Sequence, residues 1–227
     1  MLKTGINSLD KIMGGGFPEK PNILITGPPG NEKEILGFQF LYSGLEEGIC
    51  FYAFYEQTTA QVEEQFKNYG MDVSDAVKNK KIYWIDASNN SKGDNVINCD
   101  LKNLLTISLA FDQFLKTHSK EKIRGVINIL SLALMLNEPV IIYKLVIQLV
   151  EMFNRYNVST IFLIETGMHD PKAVAALETL CDIVIEMKSV EKGLEIENLL
   201  RIKKMAKIVS KNFYKYEVTE KGIEIKL

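Results

Sequence analysis

The sequence predicts an α/β domain in which a mostly parallel sheet is flanked by helices and carries an antiparallel C-terminal extension. Three observations point there. Short apolar runs alternate with longer amphipathic stretches up to about residue 180, the rhythm of strand–helix–strand units. A glycine-rich turn directly follows the first apolar run and opens a helical pattern. After Asp182 the helical stretches stop, and four strand-like runs follow one another.

The first strand is expected at 22–26 (NILIT), running into the Gly-Pro-Pro-Gly turn at 27–30. A helix follows from about 33 to 47, closed by Gly48. The second strand, 49–55 (ICFYAFY), is rich in the aromatic and branched residues that suit a pleated surface. Thr58 or Thr59 caps a helix that stops at Tyr69-Gly70. A third strand at 81–85 leads into a polar loop at 86–99, and Asp100 is expected to cap a helix reaching about His118. Its apolar stripe is Leu101, Leu104, Leu105, Phe111, Phe114 and Leu115. A fourth strand is expected at 125–129. The helix from about 139 to 156 puts Ile142, Leu145, Val146, Leu149 and Phe153 on one face. The fifth strand is 160–165. Asp170-Pro171 is the grammar of a helix start, here running to Leu180. Runs at 183–187, 194–204, 213–218 and 223–226 then read as strands, with turns at Glu191-Lys192-Gly193 and Glu220-Lys221-Gly222. No linker or repeat interrupts the pattern, so one domain over 1–227 is expected.

Composition narrows the function classes. The 227 residues are 46% hydrophobic and 25% charged, with a net charge of −2, so no global field draws in nucleic acid or an anionic membrane. The N-terminal MLKTGINSLDKIMGGG lacks the apolar core of a signal peptide. The longest apolar region, 126–153, is broken by Asn128, by Asn137-Glu138-Pro139 and by Lys144, and is not expected to span a bilayer. Cys50, Cys99 and Cys181 stand far apart and unaccompanied by histidine. No metal site is expected, and free thiols in a reducing cytoplasm are.

The chemistry concentrates in the turn Gly27, Pro28, Pro29, Gly30, Asn31, Glu32, Lys33, Glu34. A strand, a glycine-rich turn and a helix start are the context of a phosphate-binding loop, G-x-x-x-x-G-K-[ST]. Gly27 and Lys33 satisfy that pattern. Glu32 stands where the second glycine belongs and Glu34 where a hydroxyl would bind Mg²⁺. The glycine normally lets backbone N–H groups close on a phosphate. A carboxylate there repels it, at about 4 kcal/mol per like-charge pair for a separation of about 4 Å and an effective dielectric of about 20. Both residues also read as plain helix-N-terminal acids, favoured by the dipole. The Glu32 carboxylate is expected beside the helix N-terminus and the Lys33 ammonium, in the place of a ligand's charge.

Further residues extend the pattern: Thr4-Gly5-Ile6, Leu9-Asp10 and Gly14-Gly15-Gly16-Phe17-Pro18 before the first strand, then Gln39-Phe40-Leu41-Tyr42, Gly44 and Glu46-Glu47-Gly48 after the turn. With 124–131 (RGVINILS), Lys204-Met205 and the run 213–225, the chain resembles the KaiC-like branch of the RecA superfamily of P-loop ATPases over nearly its full length. The resemblance implies a RecA-like P-loop NTPase fold, ATP with Mg²⁺ at a subunit boundary, and ring assemblies, often hexamers. It carries the phosphate-binding lysine onto Lys33 and the Mg²⁺-shell aspartate onto Asn128, a poor ligand for a hard cation. It carries a pair of catalytic glutamates onto Glu56 and Gln57. A Lys-Met-Arg-Gly segment reaching the neighbour's nucleotide reads here Lys204-Met205-Ala206-Lys207, without its arginine.

Glu56 reads either as a general base or as a solvated acid at a strand end, and Asn128 as a buried amide satisfied by neighbouring backbone. The stretch 201–215 carries Arg201, Lys203, Lys204, Lys207, Lys211 and Lys215 with Phe213 and Tyr214. It reads as a solvated strand face or as a single-strand nucleic-acid contact. The run 129–136 (ILSLALML), polar only at Ser131, reads as a buried helix start or a subunit interface. Phosphoryl transfer depends on positioning and charge neutralisation, and here the cradle, metal and water-activating positions are all altered. The expectation is a pseudo-ATPase with no cofactor, a scaffold that associates with itself or with KaiC/RecA-like paralogues. The alternatives are an ATPase binding ATP and Mg²⁺ through an altered loop with Lys33, Glu34 and Glu56, and a single-stranded-DNA accessory protein.

Overall fold

The structure is a computed structural model that describes residues 1–206 and 212–226. Lys207 and Lys211 of the basic stretch lie outside the described residues. In chain order the strands are β1 (Asn22–Gly27), β2 (Ile49–Phe54), β3 (Ile82–Asp86), β4 (Val96–Asn98), β5 (Ile123–Ile127), β6 (Val158–Glu165), β7 (Ile183–Lys192), β8 (Glu195–Lys204), β9 (Tyr214–Thr219) and β10 (Gly222–Ile225). The helices are α1 (Asn7–Ile12), α2 (Lys33–Tyr42), α3 (Thr59–Asn68), α4 (Ser74–Lys78), α5 (Leu104–Thr117), α6 (Leu130–Leu136), α7 (Pro139–Arg155) and α8 (Pro171–Leu180).

The ten strands of the described residues form one sheet, ordered β10-β9-β8-β7-β1-β6-β5-β2-β3-β4. From β7 to β4 every pairing is parallel, and β7 through β10 pair antiparallel. This is the expected α/β architecture with its antiparallel extension. β1 is buried at all six positions, as a central parallel strand covered on both faces must be. Its side chains alternate: Ile23 and Ile25 join one apolar cluster with Phe38, Tyr52 and Phe66, while Leu24 joins the other with Phe51, Phe111 and Phe153.

Several boundaries move for physical reasons. The helix expected to reach residue 47 ends at Tyr42, and Gly44 then passes so close to Arg124 that a Cβ would sit 2.3 Å from its Cδ. Thr58 caps α3 with a full capping box to Gln61. Asp100 is not a helix cap: its carboxylate accepts from the Lys102 N–H at 2.9 Å in a turn of its own, and α5 starts after Asn103. The polar loop contains β4, whose three residues pair with Trp84–Asp86. The fourth long strand, β5, begins and ends two residues earlier than expected, which leaves Asn128 just beyond its C-terminal end.

The C-terminal hairpin β9–β10 lies against α2. The Gln39 side chain accepts from the Ile223 N–H at 2.9 Å and donates to the Ile223 carbonyl at 3.3 Å. This closes the sheet's antiparallel edge over the helix that follows the glycine-rich turn.

Candidate functional site

The turn after β1 opens at the C-terminal edge of the parallel strands, where open α/β sheets place their ligand crevices. It folds back on itself: a Cβ on Gly27 would lie 1.9 Å from Asn31 Nδ2, so glycine is required there. Pro28 is half-buried and Pro29 exposed at the lip. Gly30 and Glu32 both take left-handed backbone, φ 77 and 59. Glu32 thus adopts a conformation that glycine takes without a Cβ clash, at a cost of about 1 kcal/mol. Asn31 is 1% exposed, and neither end of its amide has a hydrogen-bond partner among the described residues. Its carbonyl accepts from the Tyr216 hydroxyl at 2.9 Å.

Lys33 is buried, its side chain 2% exposed. Its Nζ lies 3.3 Å from a carboxylate oxygen of Glu34 and 3.3 Å from one of Glu165. A buried ammonium needs such counter-charge, because isolated it would be strongly disfavoured. Glu165 is the residue the sequence reading missed. It sits at the end of β6 and pairs in register with Gly27. Its N–H donates to Ser131 Oγ at 2.8 Å, so the one polar side chain in 129–136 fixes its backbone. The signal in the sequence was a carboxylate closing an otherwise apolar strand.

Glu32 is not the partner of Lys33. It makes no ion pair among the described residues. The phenols of Tyr69 and Tyr216 are pushed up by burial first and then by the Glu32 and Glu34 charges.

Asn128 is half-buried, and its partner is a side chain rather than backbone: Nδ2 donates to the Tyr52 hydroxyl at 2.9 Å. Burial raises the Tyr52 phenol, the Glu34 charge adds to the rise, and the Asn128 hydrogen bond opposes it. Glu56 stands exposed beyond the end of β2, with left-handed backbone, φ 56. Among the described residues it has no hydrogen bond or ion pair of its side chain. The structure therefore brings Asn31, Lys33, Glu34 and Glu165 together, sets Asn128 against Tyr52, and leaves Glu56 apart.

Lys204 lies elsewhere. Its Nζ donates to the carbonyls of Glu178, Thr179 and Cys181, closing the C-terminal end of α8 within the same chain. The other described cations of 201–215 have acid partners: Lys203 with Glu178 at 2.7 Å, Lys215 with Glu197 at 2.5 Å, and Arg201 with Glu186. The Phe213 ring lies under Lys188 and Arg201. Among the described residues no group of three or more His, Cys, Asp or Glu is placed to hold a metal ion. None of the described helices is long and apolar enough to cross a membrane.

A family model described as an ATPase, KaiC, matches residues 2–227. A crystal structure of a KaiC-like protein from the hyperthermophilic archaeon Pyrococcus horikoshii superimposes with a TM-score of 0.82 at 26% identity, covering 99% of this chain and 98% of that one. Shorter matches join the chain to UPF0273 proteins. That of Saccharolobus solfataricus is 41% identical over 87 residues, 37% of this chain. That of Pyrobaculum aerophilum is 38% identical over 88 residues, and that of Thermotoga maritima 35% over 94, or 38% and 41% of this chain. The matched stretch amounts to 31%, 31% and 39% of the length of these three relatives.

Proposed function

The chain belongs to the KaiC family of ATPases, and from that premise we propose that it is a member that no longer hydrolyses ATP and serves as a regulatory or assembly scaffold. The observation that carries this reading is at the metal position. Asn128, where the family resemblance places a Mg²⁺-shell aspartate, is a neutral amide whose N–H₂ is held by the Tyr52 hydroxyl at 2.9 Å. Mg²⁺ takes carboxylate, hydroxyl and phosphate oxygens in near-octahedral geometry. Glu34 replaces the loop hydroxyl and already faces Lys33, so these residues do not fit a Mg²⁺–nucleotide as they stand. Glu56, the one remaining candidate base, stands exposed and without a side-chain partner among the described residues, with Gln57 beside it where a second glutamate would be.

For the scaffold role, the support is an exposed apolar surface. Leu105 and Leu109 lie one turn apart on α5, and Met135, Leu136, Val140 and Ile141 cluster at the α6–α7 corner, each at least 45% exposed. Such surface on a soluble fold marks an association site, and a second copy or a KaiC-like paralogue is the partner we assign to it. The three cysteines are buried and free, in keeping with a reducing cytoplasm.

One observation favours the altered-loop ATPase instead: Gly30 and Glu32 keep the left-handed backbone of a phosphate-holding turn. The partners of Arg201, Lys203, Lys204 and Lys215 weigh against the nucleic-acid reading. Calorimetric titration with ATP, with and without Mg²⁺, separates the first two. The scaffold reading expects no binding at about 1 mM ATP, and Mg²⁺-dependent micromolar binding contradicts it.

A further inference from the structure

Lys33 has two carboxylate neighbours, and they are not equivalent. Both approach to 3.3 Å, but only the contact with Glu165 has hydrogen-bond geometry. Glu34 rides on the first turn of α2 beside the lysine itself. Glu165 reaches Lys33 from another strand, and its backbone is fixed from three sides. It pairs in register with Gly27, its N–H is held by Ser131, and the next N–H, of Thr166, donates to the Gly27 carbonyl at 2.8 Å.

Around that carboxylate the parts of an anion-holding turn remain. The N-terminus of the ten-residue helix α2 opens there, with its unpaired N–H groups and partial positive charge. A buried ammonium projects beside it. Gly30 and Glu32 hold the turn in left-handed backbone. The Asn31 amide, 1% exposed and folded over Gly27, has no partner at either end among the described residues. A buried amide left unpartnered is costly, and it marks a place built for one more polar group than the chain provides.

We propose that Glu165 is a built-in counter-ion that stands in for a phosphate-bearing ligand and excludes such anions from the turn, so that this residue sets the loop's ligand selectivity. The inference rests on the reading of a non-hydrolysing site and adds that one residue from β6 keeps that site closed. A phosphate oxygen and the Glu165 carboxylate compete for the same ammonium, and two anions at that distance repel through a partly buried medium. Neutralising Glu165 while keeping its shape removes the competitor and returns Lys33 to the ligand.

The test is isothermal titration of the full chain and its Glu165→Gln variant with ATP and, separately, with inorganic pyrophosphate, both without Mg²⁺. The variant is expected to bind at least about tenfold more tightly than the wild type, and a Lys33→Met/Glu165→Gln double variant is expected to lose that gain. Binding of both probes means that the turn reads phosphate alone, and binding of ATP only means that it reads the nucleoside as well. Either result supports the proposal. If Glu165→Gln does not fold, Glu165→Asp, which retracts the charge by one methylene, is titrated in its place and a smaller gain is expected. A folded variant that binds neither probe more tightly than the wild type overturns the inference. That outcome leaves the non-hydrolysing reading standing, because that reading falls only if the wild type itself binds Mg²⁺–ATP or turns it over.

Discussion

The Tyr216 hydroxyl in β9 donates to the Asn31 carbonyl at 2.9 Å, so the last hairpin of the chain holds the turn that opens α2. Tyr216 is 2% exposed, which leaves water no access to replace the bond. Tyr216→Phe is expected to lower stability by about 1–2 kcal/mol, read as a lower urea midpoint at unchanged slope. An unchanged midpoint contradicts a direct link between the hairpin and the turn.

Alkaline pH reports on the same phenols. Tyr52 and Tyr216 are both raised from their ordinary value of 10.0, by burial first and by charge second, that of Glu34 at Tyr52 and those of Glu32 and Glu34 at Tyr216. The folded chain therefore keeps protons that the unfolded chain gives up above pH 10. The stability these phenols contribute is present in full below about pH 10 and is lost as pH rises through the folded values. Chemical unfolding from pH 8 to 11 is expected to show midpoints that fall above about pH 10, with a shallower fall in Tyr216→Phe. Equal slopes in the variant and the wild type contradict this assignment.

Glu32 offers a test in the opposite direction. Its φ of 59 places a Cβ where glycine has none. Glu32→Gly is expected to raise stability by about 1 kcal/mol, less the extra freedom that glycine gives the unfolded chain. Thermal unfolding of the two proteins side by side measures it. A less stable variant would mean that the Glu32 side chain makes a net favourable contribution large enough to outweigh its backbone strain.

Much of this was legible in the sequence, and the exceptions share a cause. The first strand, its turn and the helix start at Lys33, a cap at Thr58 or Thr59 (the structure has Thr58) and the Asp170-Pro171 start follow from local chemistry, and the structure has each of them. α1 is six residues long, too short for a helical period to register. Its neighbourhood is set by tertiary bonds such as the Asp10 carboxylate accepting from the Thr4 N–H at 2.9 Å. β4 is three residues that count as a strand only because Trp84–Asp86 lies beside them. At the site, Lys33 was readable from its motif, but its hydrogen-bonded partner Glu165 lies 132 positions away. Only the register of β1 against β6 brings the two together. Glu32 was misplaced because adjacency in sequence says little once the backbone turns left-handed.

Lys204 carries a prediction about assembly. Its three carbonyl acceptors are all in its own chain, around the end of α8. Lys204→Ala is expected to lower stability by about 1 kcal/mol. The loss should be the same at about 1 and about 100 μM protein, because a contact within one chain does not depend on concentration. A loss seen only at the higher concentration would place the lysine against a neighbouring subunit instead.

The most direct measurement is steady-state ATP turnover by the full chain with Mg²⁺, set against Lys33→Ala. With Lys33 held by Glu165 and Glu34, and Asn128 held by Tyr52, the wild type is expected to release phosphate no faster than the variant. Turnover at an ordinary ATPase rate that disappears in Lys33→Ala would contradict the account and establish an ATPase working through an altered loop.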